Sequence, residues 1–192
     1  MVERVKTISA SQLSLEPLTV AHAEAMFGIL SEPQIYKYLD YGPPPSVEHL
    51  RSVYSKLESR QSPDGKQQWL NWVVRFNGGS LLGYVQATVA APEVVWVAYV
   101  FGTKHWGHGY ASAATAAMIE HLEAEYGSNT FLATVEADNE RSIALLKRLS
   151  FLPASPAEVQ DHELTISERL FVRKRDQGQH ADHALCVATK LW

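Results

Sequence analysis

The stretch FGTKHWGHGYASAA, residues 101–114, decides how this chain is interpreted. It ends a run rich in β-branched and aromatic residues, typical of a strand, and leads into an alanine-rich segment that predicts a helix. A strand, a glycine-containing turn and a helix form a context in which backbone N–H groups bind phosphate, because the first helical turn leaves donors unpaired. Gly107 and Gly109 would let an anion approach the backbone without a Cβ in the way.

Two other interpretations of this turn compete with an anion site. His105 and His108 are metal-ligand types, but they stand in a turn with no third ligand nearby, and we predict no metal there. The spacing is neither a P-loop nor a dinucleotide fingerprint, since position 112 is serine where the fingerprint has a third glycine. Short G-x-G matches are common, so the residues alone leave an anion-binding turn and a plain structural turn on equal terms.

The bulk composition predicts one ordinary globular domain over residues 1–192. The chain is 46% hydrophobic and 20% charged, and it is long enough to bury a core without disulfides or metals. Its single cysteine, Cys186, fits a reducing compartment, so we expect a cytoplasmic protein. The net charge of −4 gives no footprint for nucleic acid, and no apolar run approaches the roughly 18 residues of a membrane helix. We therefore expect the protein to bind neither nucleic acid nor a membrane. The oligomeric state stays open, with a homodimer as one option.

The pattern along the chain predicts the order β-α-α-β-β-β-α-β-α-(α)-β-β. The predicted strands are 12–18, 67–76 and 81–90 around the turn NGGS, 93–101, 129–137, 169–175 and 183–192. The nearly continuous apolar run at 93–101 predicts a central strand buried on both faces. Helices are predicted after Thr19, from the cap Ser46 to about 58, over 109–125, after a cap at Asp138 or Asn139, and after Ser155. This order indicates a mixed α/β fold with a largely antiparallel sheet.

Three segments in order resemble the GNAT superfamily of N-acetyltransferases. The window Trp106–Ala111 resembles its acetyl-CoA loop, [QR]-x-x-G-x-[GA]: Gly109 and Ala111 match, and Trp106 stands where glutamine or arginine is usual. WGxGYA is a variant of the branch that contains ribosomal-protein-alanine N-acetyltransferases. LSLEPLTVAHAEAMF resembles the opening of that branch, and VEADNERSIALLKRLSF resembles its second cofactor motif. The resemblance covers most of residues 11–152.

The resemblance implies an α/β fold with a six- to seven-stranded, largely antiparallel sheet, helices on both faces and a splayed central strand pair. It implies acetyl-CoA as cosubstrate and direct transfer, in a ternary complex, to a primary amine such as a protein N-terminus, a polyamine or a small molecule. Phe101 matches the position whose backbone pairs with the pantetheine arm, and Asn139 the motif asparagine near it. The implied pyrophosphate site consists of Trp106, Gly107, His108, Gly109, Tyr110 and Ala111.

The implied catalytic residues match less well. Many relatives have a tyrosine seven residues after the asparagine, where this chain has Leu146; Ser142 matches the serine of the branch and is our candidate to hydrogen-bond the thiolate. A serine that only helps to cap its helix is the alternative. Trp96 stands where the branch often has an acid, so Glu93 and Glu136 are the substitute candidates for the base, against an alternative as solvated strand-end carboxylates.

A second hypothesis, a catalytically inactive CoA-binding module, is motivated by three residues at positions that usually carry polar groups: Trp96, Ala113 and Leu146. A further departure is Ser150, where a glycine usually ends the helix, which implies a modest backbone strain. Tyrosines 36, 38 and 41 are candidates for the acceptor site, which relatives build from the first two helices and the terminal hairpin.

Overall fold

The fold comes from a computed structural model that describes residues 5–91, 94–160 and 162–175. The helices are α1 (Ala23–Leu30), α2 (Val47–Leu57), α3 (Tyr110–Glu125), α4 (Glu140–Arg148) and α5 (Pro156–Gln160). The strands are β1 (Ile8–Ala10), β2 (Leu13–Pro17), β3 (Gln68–Phe76), β4 (Leu81–Ala91), β5 (Val94–Phe101), β6 (Thr130–Glu136), β7 (Leu152–Pro153) and β8 (Glu168–Lys174).

All strands of the described part of the chain join one sheet in the order β1-β2-β3-β4-β5-β6-β8-β7. Every neighbouring pair is antiparallel except β5 and β6, which run parallel because the long helix α3 connects them. The predicted mixed, largely antiparallel α/β fold is therefore confirmed.

Two expectations about the sheet were wrong. The described residues alone form eight strands, where six to seven were expected, because β1 and β7 have three and two residues and are too short to carry a period-2 pattern. Strand β5 is buried on both faces only in part: Val95 and Val97 are buried on one face and Val100 on the other, but Ala98 is exposed beside the opening of the sheet. The last predicted strand, 183–192, lies outside the described residues, as do His180, His183 and Cys186.

Helices cover both faces of the sheet, as expected. Alternate residues of β3 point to opposite faces, so Trp72 and Val74 pack into a core with α3 and α4, whereas Val73 packs into a second core with α1 and α2. Trp72, Val73 and Val74 are all fully buried. β3 is therefore covered by helices on both faces.

Two positions have a backbone geometry that favours glycine. At Gly83 a Cβ would stand 2.1 Å from the carbonyl oxygen of Val100, so the close approach of β4 to the end of β5 requires glycine. At the end of α4, Ser150 adopts φ +64° while Phe151 N–H donates to Leu146 C=O at 3.0 Å. The helix therefore ends in a left-handed conformation, as the sequence predicted, although the residue is a serine and not a glycine.

Within the described residues, no helix combines the length and the apolar character needed to cross a membrane.

Candidate active site

A cleft of about 960 Å³ opens where β5 and β6 part. The two strands pair only through Val94, Val95 and Trp96, and the last pair is Trp96 with Leu132. Beyond this pair, β5 continues to Phe101 and β6 continues to Glu136, but the two strands no longer pair with each other. Each strand therefore presents one unpaired edge to the gap. The volume lies at the upper end of the roughly 300–1,000 Å³ typical of ligand sites. The splayed central strand pair is thus present in the structure.

The edge of β5 offers main-chain groups to the cleft. Gly102 N–H donates to Leu82 C=O at 3.0 Å, on the β4 side. Hydrogen-bonding direction alternates along a strand, so the N–H and C=O groups of Val97, Tyr99 and Phe101 point the other way, into the gap. The Phe101 carbonyl already accepts a hydrogen bond from the Trp106 indole N–H at 2.8 Å. Beyond the last pair with β6, the N–H and C=O of Tyr99 and the N–H of Phe101 therefore face the gap.

The glycine turn forms one end of the cleft. Gly107 and Gly109 have φ of +78° and +80°, and Gly109 is the N-cap residue of α3 without a side-chain cap. A Cβ built on either glycine would meet nothing within 4 Å, so the turn leaves open space above its backbone. The first intrahelical hydrogen bond of α3 runs from Ala113 N–H to Gly109 C=O, which leaves the N–H groups of the preceding turn without i−4 partners. This arrangement fits the diphosphate of a nucleotide-like ligand.

The two histidines of the turn have separate surroundings. His108 is exposed, lies parallel to the Tyr110 ring at 5.5 Å, and its Nδ1 is 2.8 Å from the Trp106 carbonyl. His105 lines the cleft, its buried Nε2 has no hydrogen-bond partner among the described residues, and burial lowers its pKa. Among the residues the structure describes, no group of three or more His, Cys, Asp or Glu side chains could hold a metal ion.

Helix α4 forms the opposite wall of the cleft. Asn139 caps it, its Oδ1 accepting a hydrogen bond from Ser142 N–H at 3.1 Å, so the cap falls on Asn139 rather than on Asp138. The Arg141 guanidinium lies 4.0 Å from the centre of the Trp106 ring. No carboxylate within the described residues forms an ion pair with it. Because the Trp106 indole is held by Phe101, the stack gives Arg141 a fixed place beside the glycine turn.

Sequence reasoning missed Tyr99. Its hydroxyl is 2.6 Å from Ser142 Oγ, across the gap from β5 to α4. Burial raises the pKa of Tyr99 to about 12, against a smaller lowering by the Ser142 hydrogen bond. No local pattern relates residues 43 positions apart, so the sequence alone gave no signal for this contact.

The structure describes one of the two carboxylates that were predicted as candidate bases. Glu136 lines the cleft at the end of β6, where Asp138 and Glu140 line it as well. Glu93 lies outside the described residues. Leu146, where a tyrosine was expected by analogy, lines the cleft and is buried, while the ring of Trp96 packs edge-to-face on His162 at 5.0 Å.

A short 3₁₀ segment, Pro33–Tyr38, also lines the cleft. Of the three tyrosines expected there, Tyr38 lines the cleft. Tyr36 and Tyr41 instead pack against each other at 5.6 Å, and the Tyr41 hydroxyl is 3.2 Å from that of Tyr84.

The model of one protein family, described as the acetyltransferase (GNAT) domain, matches residues 12–152. The chain belongs to the GNAT acetyltransferase family. The match spans the opening segment, the glycine turn and α4, the three segments in which the resemblance was first visible.

Known GNAT proteins resemble this chain in sequence and in fold. It is 26% identical over 149 residues to an uncharacterized N-acetyltransferase p20 from Bacillus licheniformis, covering 77% of this chain and 83% of that one. The structure of RimL, a ribosomal L7/L12 α-N-protein acetyltransferase, in complex with coenzyme A, superposes with a TM-score of 0.75 at 16% identity, covering 89% and 99%. A spermidine N-acetyltransferase from Vibrio cholerae, in complex with CoA and spermine, gives a TM-score of 0.66 at 17% identity, covering 84% and 94%.

In this GNAT acetyltransferase, two of the departures from the family pattern, Trp106 and Leu146, line the cleft. Trp106 replaces a polar residue of the loop, and Arg141 brings a cation to the same place from α4. Leu146 brings no hydroxyl, and the Tyr99 hydroxyl meets Ser142 one helical turn earlier.

Proposed function

We propose that this protein transfers the acetyl group of acetyl-CoA to a primary amine, holding both substrates in one ternary complex. The observation that carries the proposal is the gap between β5 and β6, which opens beside a glycine turn and a helix N-terminus. An unpaired strand edge suits an extended amide chain, and the helix N-terminus suits a diphosphate. Acetyl-CoA carries both groups in series.

The cosubstrate would lie along β5 with its diphosphate on the turn. The N–H groups from Gly107 to Ala111 would hold the diphosphate, because the Trp106 N–H already donates to the Thr103 carbonyl at 3.1 Å. Gly107 and Gly109 are small enough to let the diphosphate approach. Arg141, stacked on Trp106 beside the turn, would supply the cation that the loop lacks. The side-chain amide nitrogen of Asn139 would remain free for the pantetheine arm, because its oxygen caps α4.

The chemistry requires no covalent enzyme intermediate. The lone pair of a neutral amine forms the C–N bond, the C–S bond breaks with its electron pair on sulfur, and the proton lost by nitrogen ends on sulfur. A backbone N–H on the free edge of β5 would polarise the acetyl carbonyl, and Ser142 would hydrogen-bond the leaving thiolate. Much of the rate would come from orientation of the two substrates in the cleft.

The amine must lose a proton, since a lysine-like ammonium has a pKa of about 10. Glu136 is our candidate base, because it lines the cleft at the end of β6. Glu136→Gln should lower turnover and leave the affinity for acetyl-CoA unchanged.

The acceptor class rests on the fold and on the cleft. RimL is named for acetylation of a protein α-amine and the Vibrio cholerae enzyme for acetylation of spermidine, so amines of different size are the class to test. The acceptor would enter past the segment Pro33–Tyr38, where Tyr38 and Lys37 line the cleft.

The test is release of free CoA thiol, read with a thiol-reactive disulfide dye. The protein is mixed with acetyl-CoA and a panel of peptides with free N-termini, polyamines and aminoglycosides, with a reaction lacking acceptor as control. We expect acceptor-dependent thiol release that Ser142→Ala lowers without weakening acetyl-CoA binding. Thermal stabilisation by acetyl-CoA with no thiol release from any amine would support the CoA-binding module instead. No stabilisation and no release would reject both.

A further inference from the structure

A pair of hydroxyl groups bridges the gap between β5 and α4. The Tyr99 hydroxyl lies 2.6 Å from Ser142 Oγ and 3.4 Å from the Ser142 carbonyl. Both residues line the cleft, and Tyr99 stands three residues beyond Trp96, the last residue of β5 that pairs with β6. The pair therefore lies inside the splay, where the thioester would sit.

The surroundings of Ser142 free its hydroxyl from the usual tasks of a helical serine. Such a serine commonly donates back to a carbonyl three or four residues earlier, or caps the helix through its oxygen. Here Asn139 provides the cap by accepting from Ser142 N–H. Within the described residues, the side-chain hydrogen bond of Ser142 Oγ is the one with Tyr99. The hydroxyl is held by a strand and not by its own helix.

Tyr99 can serve as a lasting donor in this pair. Burial raises its pKa to about 12, so the phenol keeps its proton near pH 10, where an amine with a pKa of about 10 is already half neutral. When the phenol donates to Ser142 Oγ, the single Ser142 hydrogen is left to point elsewhere, and the cleft is the open direction.

We propose that Tyr99 is a positioning residue that directs the Ser142 hydroxyl hydrogen at the sulfur of the departing CoA. This inference rests on the proposed function and adds a residue to it. As the C–S bond breaks, its electron pair stays on sulfur, and Ser142 O–H donates a hydrogen bond to that thiolate. The proton that ends on sulfur is the one shed by the acylated nitrogen, so Tyr99 and Ser142 return unchanged. The two hydroxyls stabilise the negative charge on sulfur, and neither is consumed.

Leu146 gives this pair its importance. It lies one turn beyond Ser142 on the same helix, lines the cleft, and is buried with an apolar side chain. α4 therefore offers the sulfur one hydroxyl, that of Ser142. Loss of its orientation has no substitute on that helix.

The test compares the affinities of CoA and desulfo-CoA, which lacks the thiol, by titration calorimetry across pH. In the wild-type protein, the ratio of the two affinities should rise by about tenfold as pH increases through the thiol pKa of about 8.5, because Ser142 favours the thiolate. In Tyr99→Phe the rise should shrink to about threefold or less, and in Ser142→Ala it should disappear. A merely structural role for Tyr99 would weaken both ligands equally and leave the ratio unchanged.

Tyr84→Phe is the matched control. It also removes a phenol that contacts another hydroxyl, that of Tyr41 at 3.2 Å, but Tyr84 does not line the cleft. Its affinity ratio should follow the wild type. The charged groups that face the cleft stay the same in all variants, so their titration cancels in the comparison; they are Lys37, His105, Glu136, Asp138, Glu140, Arg141 and Arg148.

A kinetic arm separates this inference from the proposed function. With an accepted amine, Tyr99→Phe should lower kcat by about tenfold with little change in KM for acetyl-CoA, and the double variant with Ser142→Ala should be no slower than Ser142→Ala alone. If no amine releases thiol, the proposed function fails, while the affinity ratio still decides the role of Tyr99. The inference is overturned if the affinity ratio of Tyr99→Phe rises with pH as much as that of the wild type. If Tyr99→Phe does not fold, the same result in Ser142→Ala overturns it.

Discussion

Replacing Gly109 by alanine tests whether the glycine turn is a phosphate site. Gly109 has φ +80° and ψ −3°, a left-handed conformation that costs an L-residue about 1–2 kcal/mol. The new Cβ would meet no protein atom within 4 Å, so this conformational cost is the whole expected loss of stability. For a chain of this size 1 kcal/mol lowers the melting temperature by about 2–4 °C, and we expect a decrease of about 2–8 °C.

The same Cβ should have a separate effect on binding. It would project into the open space above the turn, where the diphosphate is proposed to lie. We expect the Kd for acetyl-CoA to rise by tenfold or more, about 1.4 kcal/mol, when titration calorimetry is done well below the melting temperature.

Gly127→Ala is the control for the conformational cost. Gly127 stands just beyond the other end of α3, has φ +66°, and leaves the same empty space around its Cβ. Its variant should lose similar stability and bind acetyl-CoA like the wild type. A folded Gly109→Ala protein with unchanged Kd would refute the phosphate site, and equal weakening in both variants would attribute the effect to the helix.

Three further changes test the surroundings of the cleft. Arg141→Ala should raise the Kd for acetyl-CoA about threefold to fivefold, a modest effect because the side chain is exposed; Lys147→Ala, on the same helix but outside the cleft lining, should leave the Kd unchanged. Ser150→Gly should relieve the strain of φ +64°, by about 1 kcal/mol, and raise the melting temperature by about 2–4 °C in calorimetry, whereas alanine there should give no increase. Gly83→Ala should cost about 3 kcal/mol in urea unfolding, because its Cβ would stand 2.1 Å from a carbonyl oxygen of β5. Gly28→Ala, exposed on α1 with open space around it, should instead stabilise by up to about 1 kcal/mol, and equal effects of the two glycine changes would contradict the packing argument.

Features with a local cause could be predicted from the sequence. Ser46 accepts a hydrogen bond from His49 N–H at 3.1 Å and starts α2 where the cap was predicted. Asn77 and Gly78 both have positive φ, as the predicted tight hairpin between β3 and β4 requires. The glycine turn before α3 belongs to the same class, since positive φ and a helix start depend on a few adjacent residues.

Features with a distant cause could not be predicted in this way. β7 has two residues and exists because β8 lies beside it, so nothing in its own letters marks it as a strand. The continuous apolar run of β5 predicted burial on both faces, yet β6 leaves it after Trp96 and Ala98 becomes exposed. Apolar letters report that a segment is buried somewhere along its length, and they do not report where a neighbouring strand ends.

The sequence by itself determined the family, the order of the longer helices and strands, and the glycine turn before α3, because these features depend on the backbone of consecutive residues. Only the tertiary structure decided which side chains meet across the cleft. Tyr99 reaches Ser142 and Arg141 reaches Trp106 because β5 and α4 stand on opposite sides of a gap. The width of this gap depends on the packing of the whole sheet and its helices, and no local pattern encodes it.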